Sequence, residues 1–210
     1  MTTTASTPTT DAELGIRRAG IDDRELVGAT IAAGFFDDPT TKWLYPDPRR
    51  RQEVLPPVFA LYSGAYLPHG ETYVTADGAG VAMWLPPGAQ LLESDQAEAF
   101  GPAVLEVAAE GADRLALLEE TFAEHHPAEP AWYLQFLATV PVRQGRGIGS
   151  AFLRRMLQRA DRDGQPAYHE ATTPRNRALY ERHGYVTIGE FTLPDDGPTL
   201  WQMWREPKRG

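Results

Sequence analysis

The sequence predicts an α/β fold, and three stretches carry this prediction. Residues 132–160 begin as an aromatic and apolar strand, pass through a glycine-rich turn and end in an amphipathic helix, whose apolar residues recur at spacings of three and four. Residues 172–185 predict a second helix, because Thr173 can cap its start and Pro174 suits its first turn. Two strand-like runs within residues 72–85 are joined by an Asp-Gly pair, which is typical of a hairpin turn.

The remaining elements follow from apolar patterning and from the positions of proline. We expect strands at 14–18, 185–191 and 199–205, and helices at 22–33 and 49–67. Proline is excluded from helix interiors, so the helix at 49–67 should be interrupted or restart at Pro56-Pro57. Residues 43–48 predict a surface loop. Residues 89–127 are rich in alanine, leucine and glutamate, and they predict two or three helices.

Length and composition bound the classes of protein to which the chain can belong. The 210 residues predict a single domain at 11–210, with a helical insertion at about 89–127 and a disordered tail at 1–10. The formal net charge of −9 argues against a nucleic-acid partner. The absence of cysteine excludes disulfides, thiolate zinc sites and a cysteine nucleophile.

The sequence also argues against a membrane partner. No apolar run approaches the roughly 18 residues that are needed to span a bilayer. The first ten residues lack the apolar segment of a secretory signal. We therefore expect a cytoplasmic protein. The expected oligomeric state is a monomer or a homodimer.

The glycine-rich turn predicts an anion site. A helix that begins directly after such a turn presents unpaired backbone N–H groups and the positive end of its dipole, and these groups most often bind phosphate. Gly145, Gly147 and Gly149 let the backbone approach a ligand closely because they carry no Cβ. Arg143 and Arg146 add positive charge beside them. The turn lacks the Gly-Lys-Ser/Thr end of a Walker loop and the Gly-x-Gly-x-x-Gly spacing of a dinucleotide fingerprint.

Two motifs, in this order, resemble those of the GNAT superfamily of N-acetyltransferases. Gln144-x-x-Gly147-x-Gly149 resembles motif A, where the loop holds the pyrophosphate of coenzyme A. The stretch Asn-x-x-x-Tyr-Glu-x-x-Gly-Tyr, which starts at Asn176, resembles motif B. By this resemblance Asn176 contacts the coenzyme, and Tyr180 lies beside the sulfur as the general acid.

The resemblance implies a fold, a coenzyme and a reaction. The fold is the GNAT fold, with a mixed, mostly antiparallel central sheet of about six to seven strands flanked by helices. The coenzyme is acetyl-CoA, and the reaction is acetyl transfer to an amine. Residues 130–203 are most similar to the group of puromycin N-acetyltransferases, and the upstream match is looser. The implied coenzyme contacts are Leu137, Thr139, Val140, Gln144, Gly145, Arg146, Gly147, Ile148, Gly149, Ser150, Asn176 and Tyr180.

The acceptor side is implied by the loop after the first long helix and by the two strands that flank the acetyl group. Each candidate also has a plain structural interpretation: the aromatic residues can be core, Asp37 can cap a turn, and Glu170 can pair with an arginine. His125 and His126 lack a partner at metal-ligand spacing, so we assign them to the end of a helix rather than to a metal. The candidate acceptor contacts are Phe35, Phe36, Asp37, Trp132, Tyr133 and Glu170.

Acetyl transfer sets chemical requirements that these residues can meet. The attacking amine must be neutral, and Glu170 could accept its proton or bind a cationic substrate. N–H donors must polarise the thioester carbonyl, and a bulge near residues 137–140 could supply them. The leaving thiolate must be protonated, for which Tyr180 is the candidate. His169 follows the opposite alternation to Glu170 and is expected to be structural.

Three functions remain open at this point. The first is acetylation of a small amine, as in the detoxification of a puromycin-like antibiotic. The second is acetylation of a protein or peptide amine, which an acidic surface would suit. The third is a non-catalytic domain that senses acetyl-CoA, and a tyrosine acid beside the sulfur argues against it.

Overall fold

A seven-stranded sheet forms the centre of the computed structural model, which describes residues 11–208. The predicted tail at 1–10 lies outside the described residues. The strands are β1 (Arg17–Arg18), β2 (Thr72–Val74), β3 (Gly80–Leu85), β4 (Trp132–Thr139), β5 (Ala167–Ala171), β6 (Val186–Thr192) and β7 (Thr199–Arg205). The helices are α1 (Asp11–Leu14), α2 (Arg24–Phe35), α3 (Pro39–Leu44), α4 (Pro48–Tyr66), α5 (Ser94–Ala108), α6 (Ala112–His125), α7 (Ile148–Asp163) and α8 (Pro174–Arg182).

The sheet is mixed and mostly antiparallel, which confirms the predicted fold class. Its strand order is β1-β2-β3-β4-β5-β7-β6. The neighbours β4 and β5 are parallel, and the other neighbouring pairs are antiparallel. Helix α7 is the crossover that connects β4 to its parallel neighbour β5, and β4 and α7 come from the first of the stretches that predicted the fold.

Helices cover both faces of the sheet. On one face, Phe152 and Met156 of α7 form a buried cluster with Leu134 of β4. On the other face, Ile31 of α2 and Phe59 of α4 belong to a second buried cluster. Successive side chains of a strand point to opposite faces, so β3 and β4 contribute to both clusters. Within residues 11–208, no helix is long and apolar enough to cross a membrane.

Helices α5 and α6 occupy the segment for which two or three helices are predicted. Val104 of α5 and Leu115 of α6 form a small buried cluster, which Tyr62 of α4 joins. At its other end, α6 packs Phe122 edge-on against Phe191 of β6, with ring centroids 5.6 Å apart. The description of this segment as an insertion into the domain stays a prediction.

Two predictions for the segment before β2 need correction. Residues 45–47 of the predicted surface loop at 43–48 do connect α3 to α4, but Trp43 lies in α3, whose N-cap is Asp38, and both Trp43 and Tyr45 are buried rather than at the surface. Helix α4 runs through Pro56 and Pro57 without a break. Pro57 faces solvent, where water can bond to the carbonyls of the preceding turn, and the apolar side of α4 is anchored in the core. Tertiary burial therefore outweighs the local cost of the prolines.

The first strand is also shorter than predicted. Only Arg17–Arg18 of the predicted strand at 14–18 pairs with β2. The predicted helix at 22–33 begins at Arg24, after a short 3-10 turn, and ends at Phe35. The Asp23 carboxylate accepts hydrogen bonds from Arg17 and from the N–H of Gly20, and these bonds fix the turn.

Candidate active site

The glycine-rich loop between β4 and α7 has the geometry of an anion site. Gly145 and Gly147 adopt the left-handed backbone conformation, with φ of 76° and 81°, which residues with a Cβ rarely adopt. A Cβ at Gly145 would meet no atom of the described structure within 4 Å, so the backbone there borders open space. Gly147 is also the N-cap of α7, and the first N–H groups of this helix face the loop. The loop thus presents backbone donors and a positive helix end to a ligand.

A polar cavity of about 360 Å³ opens over this loop, and we call it the coenzyme cavity. Three arginines give it positive charge: Arg143 from the loop, and Arg175 and Arg182 from α8. This charge and the helix end suit the phosphates of coenzyme A. The predicted coenzyme contacts that line the cavity are Leu137, Thr139, Gln144, Gly145, Gly147, Ile148, Gly149, Ser150, Asn176 and Tyr180.

The β2–β3 hairpin holds one of these arginines in place. Asp77 at the hairpin turn lies 2.5 Å from Arg143. The Thr75 hydroxyl, the Ala79 N–H and Arg143 itself keep the pKa of Asp77 below its usual value. Asp77 is therefore ionised at neutral pH and fixes the guanidinium at the edge of the cavity.

The parallel strands β4 and β5 separate beside the coenzyme cavity. Their ladder consists of the pairs Trp132–Ala167 and Tyr133–Tyr168, and the strands diverge from Leu134 onward. His169 spans the start of the gap, with its Nδ1 2.6 Å from the carbonyl oxygen of Leu134. Backbone groups of β4 on this edge are therefore available to a ligand in the gap.

The predicted bulge near residues 137–140 is wrong. The register of β4 against β3 shifts between Leu134 and Phe136, nearer the start of the strand. At the predicted position the ladder continues, and the N–H of Val140 donates to the carbonyl of Ala79. This shift lies where β4 and β5 begin to diverge, so the open edge of β4 starts near Leu134 and not at the predicted position.

A second cavity, of about 300 Å³, is bordered by α2, α4 and α6, and we call it the acceptor cavity. Its centre is aromatic: the ring of Phe136 lies 5.7 Å from that of Phe35, 5.2 Å from that of Phe59 and 5.9 Å from that of Tyr62, each edge-on. Phe122 of α6 borders the cavity as well. Such a cavity suits a ligand with an apolar or aromatic portion.

The two cavities meet at four residues. Phe35, Leu137, Asn176 and Tyr180 line both of them. Leu137 belongs to the edge of β4 that the divergence exposes, and Asn176 and Tyr180 lie one turn apart on α8. A ligand in the coenzyme cavity and a ligand in the acceptor cavity would touch at this junction.

Tyr180 is the ionisable group that α8 places at the junction. Its side chain is buried, and burial raises the pKa of its phenol well above the usual value. The phenol is therefore protonated at neutral pH and can act as a donor. The ring of His169 lies 4.3 Å from that of Tyr180. Burial lowers the pKa of this histidine, which is therefore neutral.

Glu170 lies at the polar end of the acceptor cavity and is 4% exposed. Its neighbours include Tyr133, Tyr66 and His126, whose Nδ1 lies 3.7 Å from the Glu170 carboxylate. Burial, and after it the charge of Glu170, raise the pKa of both tyrosines. A negative carboxylate at this end favours a cationic ligand group.

Asp38 was missed by sequence reasoning and lies at the coenzyme cavity. Its carboxylate accepts bonds from the N–H and hydroxyl of Thr40, and from the hydroxyl of Thr172 at 2.5 Å. Burial raises the pKa of Asp38 above its usual value, against the effect of these hydrogen bonds. The pair Asp38-Pro39 was the available signal, because Asp before Pro is typical of a helix start.

Several predicted site residues point elsewhere. Phe36 lies against the guanidinium of Arg51, and Asp37 is exposed and pairs with Lys42, because the turn that starts α3 directs Asp38 inward instead.

Trp132 is buried in the core beneath α7, since it alternates with Tyr133, which does line the acceptor cavity. The side chain of Val140 packs on the core and that of Arg146 is exposed, so neither lines the coenzyme cavity.

Two histidines border the acceptor cavity, which the sequence did not predict. His169 lies on the opposite face of β5 from Glu170, as expected, and it borders the acceptor cavity and Tyr180. His125 and His126 both lie at the end of α6, as predicted: His126 is its C-cap and borders the cavity, and His125 has Nδ1 2.8 Å from the carbonyl of Thr121. The sequence carried no signal for these positions, because they depend on where α6 ends against the sheet.

A family model agrees with this geometry. Residues 103–187, which include the glycine loop and α8, match the model described as the acetyltransferase (GNAT) domain. A relative from Schizosaccharomyces pombe, an uncharacterized N-acetyltransferase, is 25% identical over 208 residues, which cover 93% of this chain and 84% of the relative.

Solved structures share the fold over nearly the whole chain. A crystal structure from Corynebacterium glutamicum, described as histone acetyltransferase HPA2 and related acetyltransferase, is 28% identical with a TM-score of 0.70, and covers 93% of this chain and 97% of its own. A polyamine N-acetyltransferase from Drosophila melanogaster is 15% identical with a TM-score of 0.60, and covers 91% of this chain and 98% of its own.

Proposed function

We propose that the chain, an acyltransferase whose residues 103–187 match the GNAT acetyltransferase model, transfers the acetyl group of acetyl-CoA to the amine of a small molecule. The observation that carries this proposal is the junction of the two cavities. A polar, basic cavity and an aromatic cavity with a buried carboxylate share Tyr180, Asn176, Leu137 and Phe35. Such a junction can hold two reactants in contact, and alignment supplies much of the rate acceleration in a two-substrate reaction.

The coenzyme cavity fits acetyl-CoA, which supplies the acetyl group as a thioester. Arg143, Arg175 and the N-terminus of α7 would hold the phosphates. Asn176 and the exposed edge of β4 would hold the acyl end at the junction. The open space beside Gly145 leaves room for this close approach of backbone and ligand.

Tyr180 acts as the general acid in this proposal. It lines both cavities and keeps its proton at neutral pH, since burial raises its pKa. In water a phenol and a thiol differ by about 1.5 pKa units, and burial raises the pKa of both acids, so the cost of protonating the thiolate stays modest. The hydroxyl is thus available for the leaving thiolate.

Glu170 attracts the acceptor and takes its proton. Amines are cationic at neutral pH, and the buried carboxylate offers them a counter-charge at the end of an aromatic cavity. The amine must lose a proton before it can attack, and the carboxylate can accept this proton. The aromatic walls displace water from the amine and favour its neutral form.

The acceptor class that fits is a small amine with an apolar or aromatic portion, and puromycin is the first compound to test. Residues 130–203 resemble the puromycin N-acetyltransferases, which would make the activity the detoxification of an amine-bearing antibiotic in the cytoplasm. The cavity of about 300 Å³ suits small molecules better than a peptide backbone, which needs an open groove.

Thiol release from acetyl-CoA tests the proposal across a panel of amines. The panel contains puromycin, arylalkylamines, polyamines and a basic peptide, with a reaction without amine as the control for hydrolysis. We expect release with small amines that carry an apolar portion. Release with the peptide alone would overturn the small-molecule proposal. Tight acetyl-CoA binding without release for any amine would indicate a sensor instead.

A further inference from the structure

His126 lies between the buried Glu170 and solvent. Its Nδ1 is 3.7 Å from Oε1 of Glu170, an ion-pair distance and about 0.5 Å beyond an ordinary hydrogen bond. The side chain of His126 is 41% exposed, whereas that of Glu170 is 3% exposed. The imidazole therefore touches both the interior of the acceptor cavity and water.

Two tyrosines hold this imidazole in place. The rings of Tyr133 and Tyr168 lie 4.7 Å and 5.1 Å from the His126 ring, each nearly perpendicular to it. The backbone of His126 is extended, because it caps the end of α6, and this turns the side chain toward the sheet. The preceding His125 points away and stacks on Phe191 at 4.3 Å.

The proposed reaction produces one proton that must leave this interior. An ammonium that becomes an amide loses two protons from its nitrogen. One of them replaces the proton that Tyr180 gives to the thiolate, and the other must reach solvent. Glu170 is too buried to release a proton to water directly.

The groups around Glu170 differ in their ability to accept that proton. Tyr66 from α4, Tyr133 from β4 and Tyr168 from β5 all have a pKa above the usual value, chiefly through burial, and are already protonated. Among the described residues at Glu170, His126 is the partly exposed imidazole, and an imidazole can accept a proton on one ring nitrogen and release one from the other.

We propose that His126 is a proton-transfer residue, which carries the acceptor's proton from Glu170 to water. The bond from the substrate nitrogen to its proton breaks, and the Glu170 carboxylate binds the proton. The carboxylic acid then gives it to Nδ1 of His126, and the imidazole releases a proton from Nε2 to solvent. Glu170 is then a carboxylate again, and His126, left as its Nδ1–H tautomer, regains the Nε2–H tautomer by proton exchange with water before the next turnover. This inference rests on the proposed function, because it needs a cationic amine as the substrate.

Replacement of His126 by Gln tests the proposal, since Gln is polar but cannot carry a proton. We expect kcat to fall about 10- to 100-fold, with little change in the KM for the amine. Added imidazole buffer should restore part of the rate in proportion to its concentration, because a small base can replace the missing side chain. His125→Gln is the matched control, and it should keep the wild-type rate and show no response to imidazole.

The outcomes separate this inference from the function on which it rests. A His126→Gln enzyme with the wild-type kcat would overturn the proton-transfer role while the amine assay still supports acetylation. A raised KM with unchanged kcat, or a lowered rate that imidazole does not restore, would make His126 a binding or structural residue. If the wild type releases no thiol with any amine, the proposed function is wrong, and the proton-transfer role, which depends on it, is wrong as well. Calorimetry with acetyl-CoA checks that each variant is folded.

Discussion

The two cavities are built in different ways. The coenzyme cavity comes mainly from residues 137–182, a continuous stretch in which β4, the glycine loop, α7, β5 and α8 follow one another. The acceptor cavity is assembled from α2, α3, α4 and α6 against the ends of β4 and β5, from positions far apart in the sequence. The first presents many backbone groups and glycines, whereas the second presents mostly side chains.

This difference assigns the reaction to the coenzyme cavity and the choice of amine to the acceptor cavity. A loop that binds phosphate needs a particular backbone shape, and glycines at fixed positions specify that shape. An aromatic cavity needs only side chains of suitable size, and many combinations satisfy it. Changes in the coenzyme region should therefore abolish turnover with all amines, and changes in the acceptor region should alter the choice of amine.

The largest effect is expected at the junction, from Tyr180→Phe. The change keeps the ring and removes the proton that the thiolate needs. We expect kcat to fall by about 10²–10⁴ for every accepted amine, with little change in acetyl-CoA affinity. Steady-state kinetics and calorimetry measure the two quantities.

Tyr185→Phe is the matched control for this change. Tyr185 is also buried, its ring lies 5.6 Å from that of Tyr180, and its hydroxyl is without a hydrogen-bond partner among the described residues. It should therefore turn over at the wild-type rate. If Tyr180→Phe did so as well, another group or water would protonate the thiolate.

The next effect is expected in the coenzyme cavity, from Gly149→Ala. The added methyl group would lie 3.5 Å and 3.6 Å from Leu179 and Leu137, which are ordinary contacts, so the fold can accept it. Both leucines line the cavity, and the methyl narrows it. We expect the Kd for acetyl-CoA to rise about tenfold, or about 1.4 kcal/mol, by calorimetry. Gly147 is less suitable for this test, because its φ of 81° would add backbone strain.

Gly101→Ala provides the comparison, since Gly101 lies within α5 and has open space around its Cβ position. Both substitutions should raise helix stability by roughly 0.5–1 kcal/mol, and only Gly149→Ala should weaken coenzyme binding. If the two variants bound acetyl-CoA with equal affinity and had normal melting curves, the coenzyme would not bind in this cavity.

The same contrast decides how much of the site could be predicted from the sequence. The glycine loop, Asn176 and Tyr180 line one cavity, because local spacing on a loop and a helix fixes their positions; their roles as coenzyme contacts stay predictions. The acceptor residues were harder to predict: one residue of shift in a turn leaves the predicted Asp37 at the surface and buries Asp38, which lines the coenzyme cavity instead. Strand alternation, likewise, sends Trp132 into the core and Tyr133 into the cavity.

The fold shows the same limit. Periodicity predicted the buried side of α7, and Phe152, Met156 and Leu157 are all in the core. Local signals failed where tertiary contacts outweigh them, as in the unbroken α4. The cluster of His126 with Glu170 could not be predicted, because it forms only when the end of α6 meets β5.

A smaller and more selective effect is expected from Phe136→Leu in the acceptor cavity. Phe136 touches the rings of Phe35, Phe59 and Tyr62, so its loss changes the shape of the aromatic wall. We expect kcat/KM to fall about tenfold for the best aromatic amine, with acetyl-CoA affinity unchanged. Competition between an aromatic and an aliphatic amine measures the change in preference.

Phe152→Leu controls for stability, because Phe152 is buried in the core on the other face of the sheet. It should lower the melting temperature without changing the preference between amines. If both variants changed the preference alike, the aromatic cluster would be core rather than a binding wall.

The smallest effect is expected at Asp38, which connects the two regions through Thr40 and Thr172. Because its pKa is raised in the folded state, folding retains the proton that the unfolded chain releases near pH 4. This group therefore favours folding at acid pH, and its contribution is lost as pH rises through the folded pKa.

Asp38→Asn removes the buried charge and keeps an acceptor for Thr40, so it should be as stable as the wild type or more stable at pH 7. Asp38→Ala removes the helix cap as well and should cost about 1–2 kcal/mol in urea unfolding. An Asn variant that loses as much stability as the Ala variant at pH 7 would show that the charge itself holds the two regions together.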